Sequence, residues 1–247
     1  MKTTIVGVAT LLLVGSVARG VVFSSVPFTG PSVGIPDWDP NGVANSLTVT
    51  TPGTVLVSLT IQLSISGRGE DGSYNGDLYA YVKHNDTIAI LLNRPGKTAD
   101  DDFGYADSQG FQVTFDDSAL GGNATGTQDI HIYRRELSLS GTDDSTPLTG
   151  PLTGVWRPDA RAADPDDVVD STPRTAGLGG FAGIDPNGTW TLFLADLGQN
   201  GLAQLDSWAI SGVAVPEVPA SSLLTAVALG AFALSARQWR VPKRLAR

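Results

Sequence analysis

The segment from Val55 to Ile65 constrains the fold most, because apolar and polar side chains alternate along it. One set of positions holds Val55, Val57, Leu59, Ile61, Leu63 and Ile65, and the other holds Ser58, Thr60, Gln62 and Ser64. Successive side chains of a strand point to opposite faces, so this period predicts a β-strand with one buried face. Only Leu56 interrupts the alternation. Such a strand is typical of antiparallel β-sandwiches.

A second pattern lies between Gly188 and Gly212, where two short apolar runs each carry one tryptophan. Trp190, Leu192 and Leu194 alternate with other residues in the first run, and Trp208 and Ile210 do so in the second. A link rich in glycine, asparagine and glutamine separates the runs. The pattern predicts the closing pair of strands, with both tryptophans in or beside the core.

The composition supports an all-β fold. The chain has 247 residues, with 29 glycines, 15 prolines and only 17% charged residues, which favours many tight turns over long helices. Other runs predict strands at 46–51, 77–83, 87–92, 111–115 and 130–139, and 158–177 reads as a long surface loop.

The charge distribution argues against a nucleic-acid partner. Positions 20 to 236 carry nine basic and 25 acidic residues, so the body of the chain is strongly acidic. Phosphate recognition needs a basic surface. The chain has no cysteine, which excludes disulfides, thiolate metal sites and a cysteine nucleophile.

Both ends resemble targeting segments. Residues 1–22 have a basic start, an apolar centre at 11–14 and small residues near 17–20, which predicts a secretory signal peptide. Residues 220–236 carry no charge and precede a basic tail, 237–247. A helix of this length is at the lower limit for a transmembrane segment, and its basic end would face the cytoplasm. The remaining domain is predicted at 26–214.

An ordered set of short motifs runs through the body of the chain. They are Ile35-Pro36-Asp37, the alternating strand 55–65, Tyr74-Asn75-Gly76-Asp77-Leu78, Leu91 to Gly96, Phe111 to Ala119, Gly154 to Pro158, Leu178 to Gly183, Gly188 to Leu192 and Leu205 to Trp208. In this order they resemble the P domain, also called Homo B, of proprotein convertases and subtilisin-like proteases. The resemblance implies a jelly-roll β-sandwich of about eight strands, similar to galactose-binding-like domains. In that family the domain supports a subtilisin-like catalytic domain.

The C-terminal region resembles a PEP-CTERM sorting signal. Val215-Pro216-Glu217 opens the motif 215–219, the apolar span 220–236 follows, and the basic tail includes Arg237 and Arg240. The resemblance implies export, at least transient retention in the inner membrane, and processing by an exosortase-type enzyme.

The sequence predicts no protease activity of its own. A subtilisin-like site needs a serine nucleophile, a histidine base and an orienting aspartate. The only histidines are His84 and His131, neither in a His-Gly motif, and both are predicted at the surface.

Acidic residues at strand ends are the candidate metal ligands. Asp37, Asp77, Asp116 and Asp117 lie where loops converge, and calcium prefers such carboxylate and carbonyl oxygens. The alternative is that these aspartates cap local turns.

Aromatic residues supply a competing kind of site. Trp38, Tyr79, Tyr81, Tyr105 and Trp156 are predicted at loops or on outward strand faces, where they would suit a carbohydrate. Three functions therefore stay open. The first is a non-catalytic exported module for adhesion or scaffolding at the cell envelope or extracellular matrix. The second is an accessory that stabilises a subtilisin-like protease in trans, and the third is a module that binds an extracellular polysaccharide.

Overall fold

The computed structural model describes residues 19–69, 72–120 and 127–217. Within them, ten strands form two sheets, which confirms the predicted all-β sandwich, although with more than the expected eight strands. The strands are β1 (Val21–Ser24), β2 (Val33–Ile35), β3 (Asp39–Val49), β4 (Val55–Gly67), β5 (Leu78–His84), β6 (Thr87–Asn93), β7 (Phe111–Phe115), β8 (Leu152–Trp156), β9 (Gly188–Asp196) and β10 (Ala203–Val215). The single α-helix of these residues is α1 (Tyr133–Leu137), and short 3-10 turns cover Asn75–Asp77, Ile130–Ile132 and Leu178–Phe181.

The first sheet has the order β1-β10-β4-β7-β8, and β2 also pairs with β10. The second has the order β3-β9-β5-β6. All neighbouring strands are antiparallel except β7 and β8, which are parallel. The two strands between Gly188 and Gly212 therefore exist, but they are not a hairpin, because β9 and β10 belong to opposite sheets.

Strand β4 follows its predicted alternation only from Leu59 onward. Leu59, Ile61, Leu63 and Ile65 are buried, as is Leu56, whereas Val57 is 55% exposed. The pairing with β10 shifts register here, since Val213 opposes Ser58 and Ala214 opposes Leu56. Val57 is therefore the extra residue of a β-bulge, and a bulge exchanges the faces of the residues before it. The apparent irregularity at Leu56 is the sequence mark of this bulge.

The core lies between the inner faces of the two sheets. Trp190 and Trp208 are essentially inaccessible, which confirms their predicted place in the core. Leu78, Ala80 and Val82 of β5 pack in the same core cluster. Trp208 also spans the layers, because its indole Nε1 donates to Asn45 Oδ1 of β3 at 2.7 Å.

The predicted strand at 130–139 is wrong, because this segment forms a 3-10 turn followed by α1. Asp129 caps the turn by accepting a hydrogen bond from His131 N at 3.1 Å. Ile130, Tyr133 and Glu136 are buried, and this three-residue spacing is helical rather than strand-like.

Residues 158–177 form no helix or strand, as predicted, but they are not a surface loop throughout. Asp159, Arg161 and Val168 are almost fully buried. The loop also covers the edge strand β6, because Ala160 N donates to Ile90 O at 2.9 Å and Ile90 N donates to Ala176 O at 2.9 Å.

The compact β unit extends from Gly20 to Glu217. Val21 and Val22, which fall in the predicted leader 1–22, lie in β1 and pair with β10. Val215 ends β10, and Pro216 and Glu217 follow it. Residues 1–18 of the predicted signal peptide, residues 218–219 of the predicted sorting motif, the span 220–236, Arg237 and Arg240 lie outside the described residues. Among the residues that are described, no helix is long and apolar enough to cross a membrane.

Candidate functional site

A cleft of about 640 Å³ opens at one end of the second sheet, where β3 and β5 begin and β9 ends. Its walls come from the β2–β3 connection, the turn before β5, the loop after β6 and the link 197–200. Depressions elsewhere in the described residues include three of about 410, 210 and 170 Å³. Four separate chain segments thus converge on this cleft.

Two aromatic side chains form the rim of the cleft. Trp38 is 63% exposed and Phe103 is 79% exposed, although both are large and apolar. Trp38 adopts a left-handed backbone with φ of 51°, an uncommon conformation for a tryptophan. Both rings are available to a ligand.

Charged and polar groups form the floor. Asp77 and Arg94 line the cleft and are largely buried, and the Arg94 guanidinium lies 3.8 Å from Asp77 Oδ1. Gly198 contacts the same carboxyl group so closely that a Cβ atom there would overlap it. Any side chain at position 198 would therefore displace the Asp77 carboxyl group from its place in the floor. The amide side chains of Gln199 and Asn200 complete this side of the cleft.

Two carboxyl groups at and beneath the floor have raised pKa values. Burial raises the pKa of Asp77 to about 6, an effect that Arg94 opposes and Asp37 reinforces. Asp196, the last residue of β9, is fully buried, and burial raises its pKa to about 7, with the charge of Asp77 adding to the rise. A carboxylate removed from water and placed beside another carboxylate favours its neutral form.

The four predicted metal ligands do not come together. Asp37 and Asp77 interact at the cleft, whereas Asp116 and Asp117 lie beyond the end of β7. Asp116 Oδ1 accepts bonds from the amide and hydroxyl of Ser118, and Asp117 accepts from Gly179 N at 2.6 Å. For Asp116 and Asp117 the contacts therefore favour the turn-capping alternative. In the part of the chain that the structure describes, no three His, Cys, Asp or Glu side chains are grouped to hold a metal ion as they stand.

The aromatic candidates separate into three groups. Trp38 is exposed on the rim, as predicted, but Tyr105 and Trp156 are buried, so their predicted outward position is wrong. Tyr79 and Tyr81 are half-buried on the outer face of the second sheet, where Tyr81 stacks on Phe193 with centroids 4.8 Å apart. The predictions did not include Phe103, since a single phenylalanine in an Asp/Gly loop carries no periodic signal.

The predicted surface position is wrong for both histidines, because each is buried and engaged. His84 stacks on Trp190 with centroids 4.3 Å apart, and its ring nitrogens lie 2.8 and 2.9 Å from the carbonyl oxygens of Thr189 and Asp185. His131 bonds Asp159 Oδ2 through Nδ1 at 2.8 Å and Lys97 O through Nε2 at 2.9 Å. Since both acceptors of His131 require a donor, its ring carries both protons, and Asp159 raises its pKa against the effect of burial.

His131 belongs to a buried ionic network behind the cleft. Arg161 pairs with Asp129 at 2.8 Å and with Asp159 at 3.3 Å, and these side chains are almost inaccessible. Lys97 donates to the carbonyl oxygen of Asp166 at 2.8 Å. The network joins three loops that contain no regular strand. Its side-chain bonds therefore hold these loops in place, as backbone hydrogen bonds do within a sheet.

Comparisons with known proteins leave the family open. No protein-family model and no curated protein matches the chain. Among solved structures, the chain is similar to the crystal structure of an Aeromonas sobria serine protease in complex with a chaperone, at 13% identity and a TM-score of 0.39. The similarity covers 80% of this chain and 28% of the other, so this chain spans under a third of that protein's length.

Proposed function

We propose that this protein is a non-catalytic, exported binding module that holds an extracellular polysaccharide in the cleft and so serves adhesion or scaffolding at the cell envelope. The observation that carries this proposal is the pair of exposed aromatic rings, Trp38 and Phe103, on the rim of a cleft with a polar floor. Ligand sites are typically concave, with apolar walls and a few convergent polar groups.

The chemistry of the cleft suits a sugar. An aromatic ring offers a flat apolar surface to the C–H face of a pyranose, while the carboxylate of Asp77 and the guanidinium of Arg94 supply an acceptor and donors for hydroxyl groups. The amides of Gln199 and Asn200 offer both. With Asp77 and Asp102 in the lining and Asp37 next to Trp38, a neutral or amino sugar fits better than a uronic acid.

The state of the histidines supports a non-catalytic role. A serine-type mechanism needs a histidine nitrogen within reach of a hydroxyl nucleophile. Both ring nitrogens of His84 and of His131 already bond carbonyl or carboxylate oxygens. Asp196 lies too deep to act with Asp77 as a second catalytic carboxyl on a bound glycan.

The P-domain resemblance supports the second hypothesis, an accessory that stabilises a subtilisin-like protease in trans. Its support is the order of the sequence landmarks, including Trp190 and Trp208, which both lie in the core. Three further features stay hypotheses that rest on sequence resemblance. They are the jelly-roll topology, the exosortase motif at 215–219 and the membrane anchor at 220–236. Co-purification of a protease with the tagged chain from its host would favour this function over glycan binding.

The main proposal is tested by calorimetric titration of the full-length protein with soluble β-glucan, chitosan oligosaccharides and alginate. We expect binding to one of the first two, with alginate the weakest. Trp38→Ala and Phe103→Ala should each weaken binding by about tenfold, the loss that ~1.4 kcal/mol produces. Leu139→Ala, at a fully exposed apolar side chain outside the cleft, is the control and should bind normally.

Two outcomes would contradict the proposal. The first is wild-type affinity in both aromatic variants. The second is hydrolysis of a protein or polysaccharide substrate by the purified chain, which would exclude a purely non-catalytic role.

A further inference from the structure

Asp196 presents an unusual buried acceptor beneath the floor of the cleft. Its carboxyl group is fully inaccessible, and Oδ1 accepts one bond from Gly198 N at 3.3 Å. Oδ2 has no hydrogen-bond partner among the described residues. An unpaired buried carboxylate oxygen costs several kcal/mol in general, so its place in the fold requires an explanation.

The groups around Asp196 are mainly acidic. Asp77 and Asp37 both act electrostatically on it, and both are carboxylates. Arg94 is the cation that opposes them, but its guanidinium also pairs with Asp166 at 3.8 Å. Among the charges that act on Asp196, two are therefore carboxylates, and the one cation, Arg94, already pairs with Asp77 at 3.8 Å.

We propose that Asp37, Asp77 and Asp196 hold one divalent cation of the calcium class beneath the cleft floor. The unpartnered Oδ2 of Asp196 supplies a ligand that no protein donor satisfies. Calcium accepts six to eight oxygen ligands in a flexible arrangement, whereas magnesium requires near-ideal octahedral geometry and retains water. The link 197–200 lines the cleft together with Asp77, and Gly198 approaches the Asp77 carboxyl group closely. Backbone carbonyl oxygens of such a link are of the right type to complete the shell.

Ion binding requires a rearrangement, because the three carboxylates are not grouped at coordinating separation among the described residues. Asp37 is exposed in the β2–β3 connection, so it is the ligand that must move inward for the site to form. Asp77 and Asp196 are held by adjacent strands, since Leu78 and Asp196 are register partners of β5 and β9. Two ligands are thus pre-positioned and the third closes the site.

This inference stands apart from the proposed glycan function, because the ion lies under the floor and needs no sugar. Asp77 nevertheless belongs to both, so the ion would fix the floor of the cleft and the link over it. Calcium binding measured without polysaccharide tests the ion site alone. Normal glycan binding in the aromatic variants would count against the proposed function alone.

The test uses full-length protein freed of metal with EDTA and dialysed to pH 8, where the carboxyls are ionised. Titration calorimetry with calcium chloride should show one ion per chain. Calcium at 100-fold its dissociation constant should raise the melting temperature by about 5–10 °C. Asp196→Asn should weaken binding by on the order of tenfold or more, whereas Asp116→Asn, at a predicted metal ligand that lies outside this site, should bind normally.

A second readout separates an ion site from a merely structural aspartate. Without calcium at pH 8, Asp196→Asn should melt at a higher temperature than the wild type, because it removes an unpaired buried charge. With calcium the order should reverse. Asp77→Asn provides a further variant with the same expected loss of calcium binding.

Three results would overturn the proposal. They are no heat and no change in melting temperature with calcium, undiminished calcium binding in both Asp196→Asn and Asp77→Asn, and a lower melting temperature for Asp196→Asn than for the wild type in EDTA.

Discussion

Replacement of Trp190 by alanine tests the architecture of the core. The indole is completely buried between His84, at a centroid distance of 4.3 Å, and Phe181, at 4.8 Å. Its Nε1 donates to Pro186 O at 2.9 Å, which fixes the turn before β9.

The expected cost follows from these contacts. Deleting a buried tryptophan side chain removes about 3–5 kcal/mol of stability. Leaving the Pro186 carbonyl without its donor adds about 1 kcal/mol. The free energy of unfolding should therefore fall by roughly 4–6 kcal/mol, and the melting temperature by roughly 10–20 °C for a domain of this size.

Equilibrium urea unfolding of the full-length protein, followed by far-ultraviolet circular dichroism, measures the change. Trp38→Ala is the matched control, because that ring is 63% exposed and its loss should cost less than about 0.5 kcal/mol. Trp190→Phe should fall between the two. A loss below about 1 kcal/mol for Trp190→Ala, with an unchanged denaturant slope, would refute the packing described here.

Two further predictions concern buried charge. Asp159→Asn should lower the free energy of unfolding in urea by roughly 3–5 kcal/mol, because it leaves protonated His131 and Arg161 buried without their shared carboxylate. Asp143→Asn, at an exposed aspartate, is the control and should change the free energy of unfolding very little. Equal losses in the two variants would contradict the reasoning. In calcium-free buffer the free energy of unfolding should fall by roughly 2–4 kcal/mol from pH 5 to pH 8. The pKa values of Asp77 and Asp196 are raised to about 6 and about 7, and that of His131 is also raised, so their stabilising protonated forms are lost as pH rises. Urea titrations at pH 5, 6.5 and 8 measure this fall in the free energy of unfolding. Asp196→Asn should make the free energy of unfolding depend less on pH. A wild-type value that stays constant or rises with pH would contradict the prediction.

The strands were predictable where apolar and polar side chains alternate over a few consecutive residues. The alternation of Leu59, Ile61, Leu63 and Ile65 and that of Trp190 with Leu192 each predicted which side chains the core would bury. Val57 was predicted on the buried face because the interruption at Leu56 does not by itself show which residue of β4 is left unpaired; the pairing with β10 decides that.

The polar core was not predictable in the same way. His131 and Asp159 are hydrogen-bonded although they lie 28 positions apart in segments without periodicity. Composition placed these loops at the surface, since charged residues are rarely buried unless paired. Only the paired partner, supplied from elsewhere in the chain, makes their burial tolerable.

The candidate site shows the same division. Asp37, Asp77 and Trp38 could be singled out from their positions at strand ends, but Arg94, Phe103 and Asp196 could not be connected to them. Their meeting depends on which strand ends share one edge, and the sequence does not state that β9 lies between β3 and β5.

By itself, the sequence determined an all-β sandwich, the faces of its main strands and an acidic body, because period, turn residues and charge act over a few positions. Tertiary structure alone decided that β9 and β10 enter opposite sheets. It also decided that Asp116 and Asp117 lie apart from Asp77, and that Asp196 lies unpaired beneath a cleft rimmed by Trp38 and Phe103. The physical reason is that burial and electrostatic coupling depend on the distance between atoms in space. Long loops bring together residues that are far apart in the chain, so that distance cannot be read from sequence position.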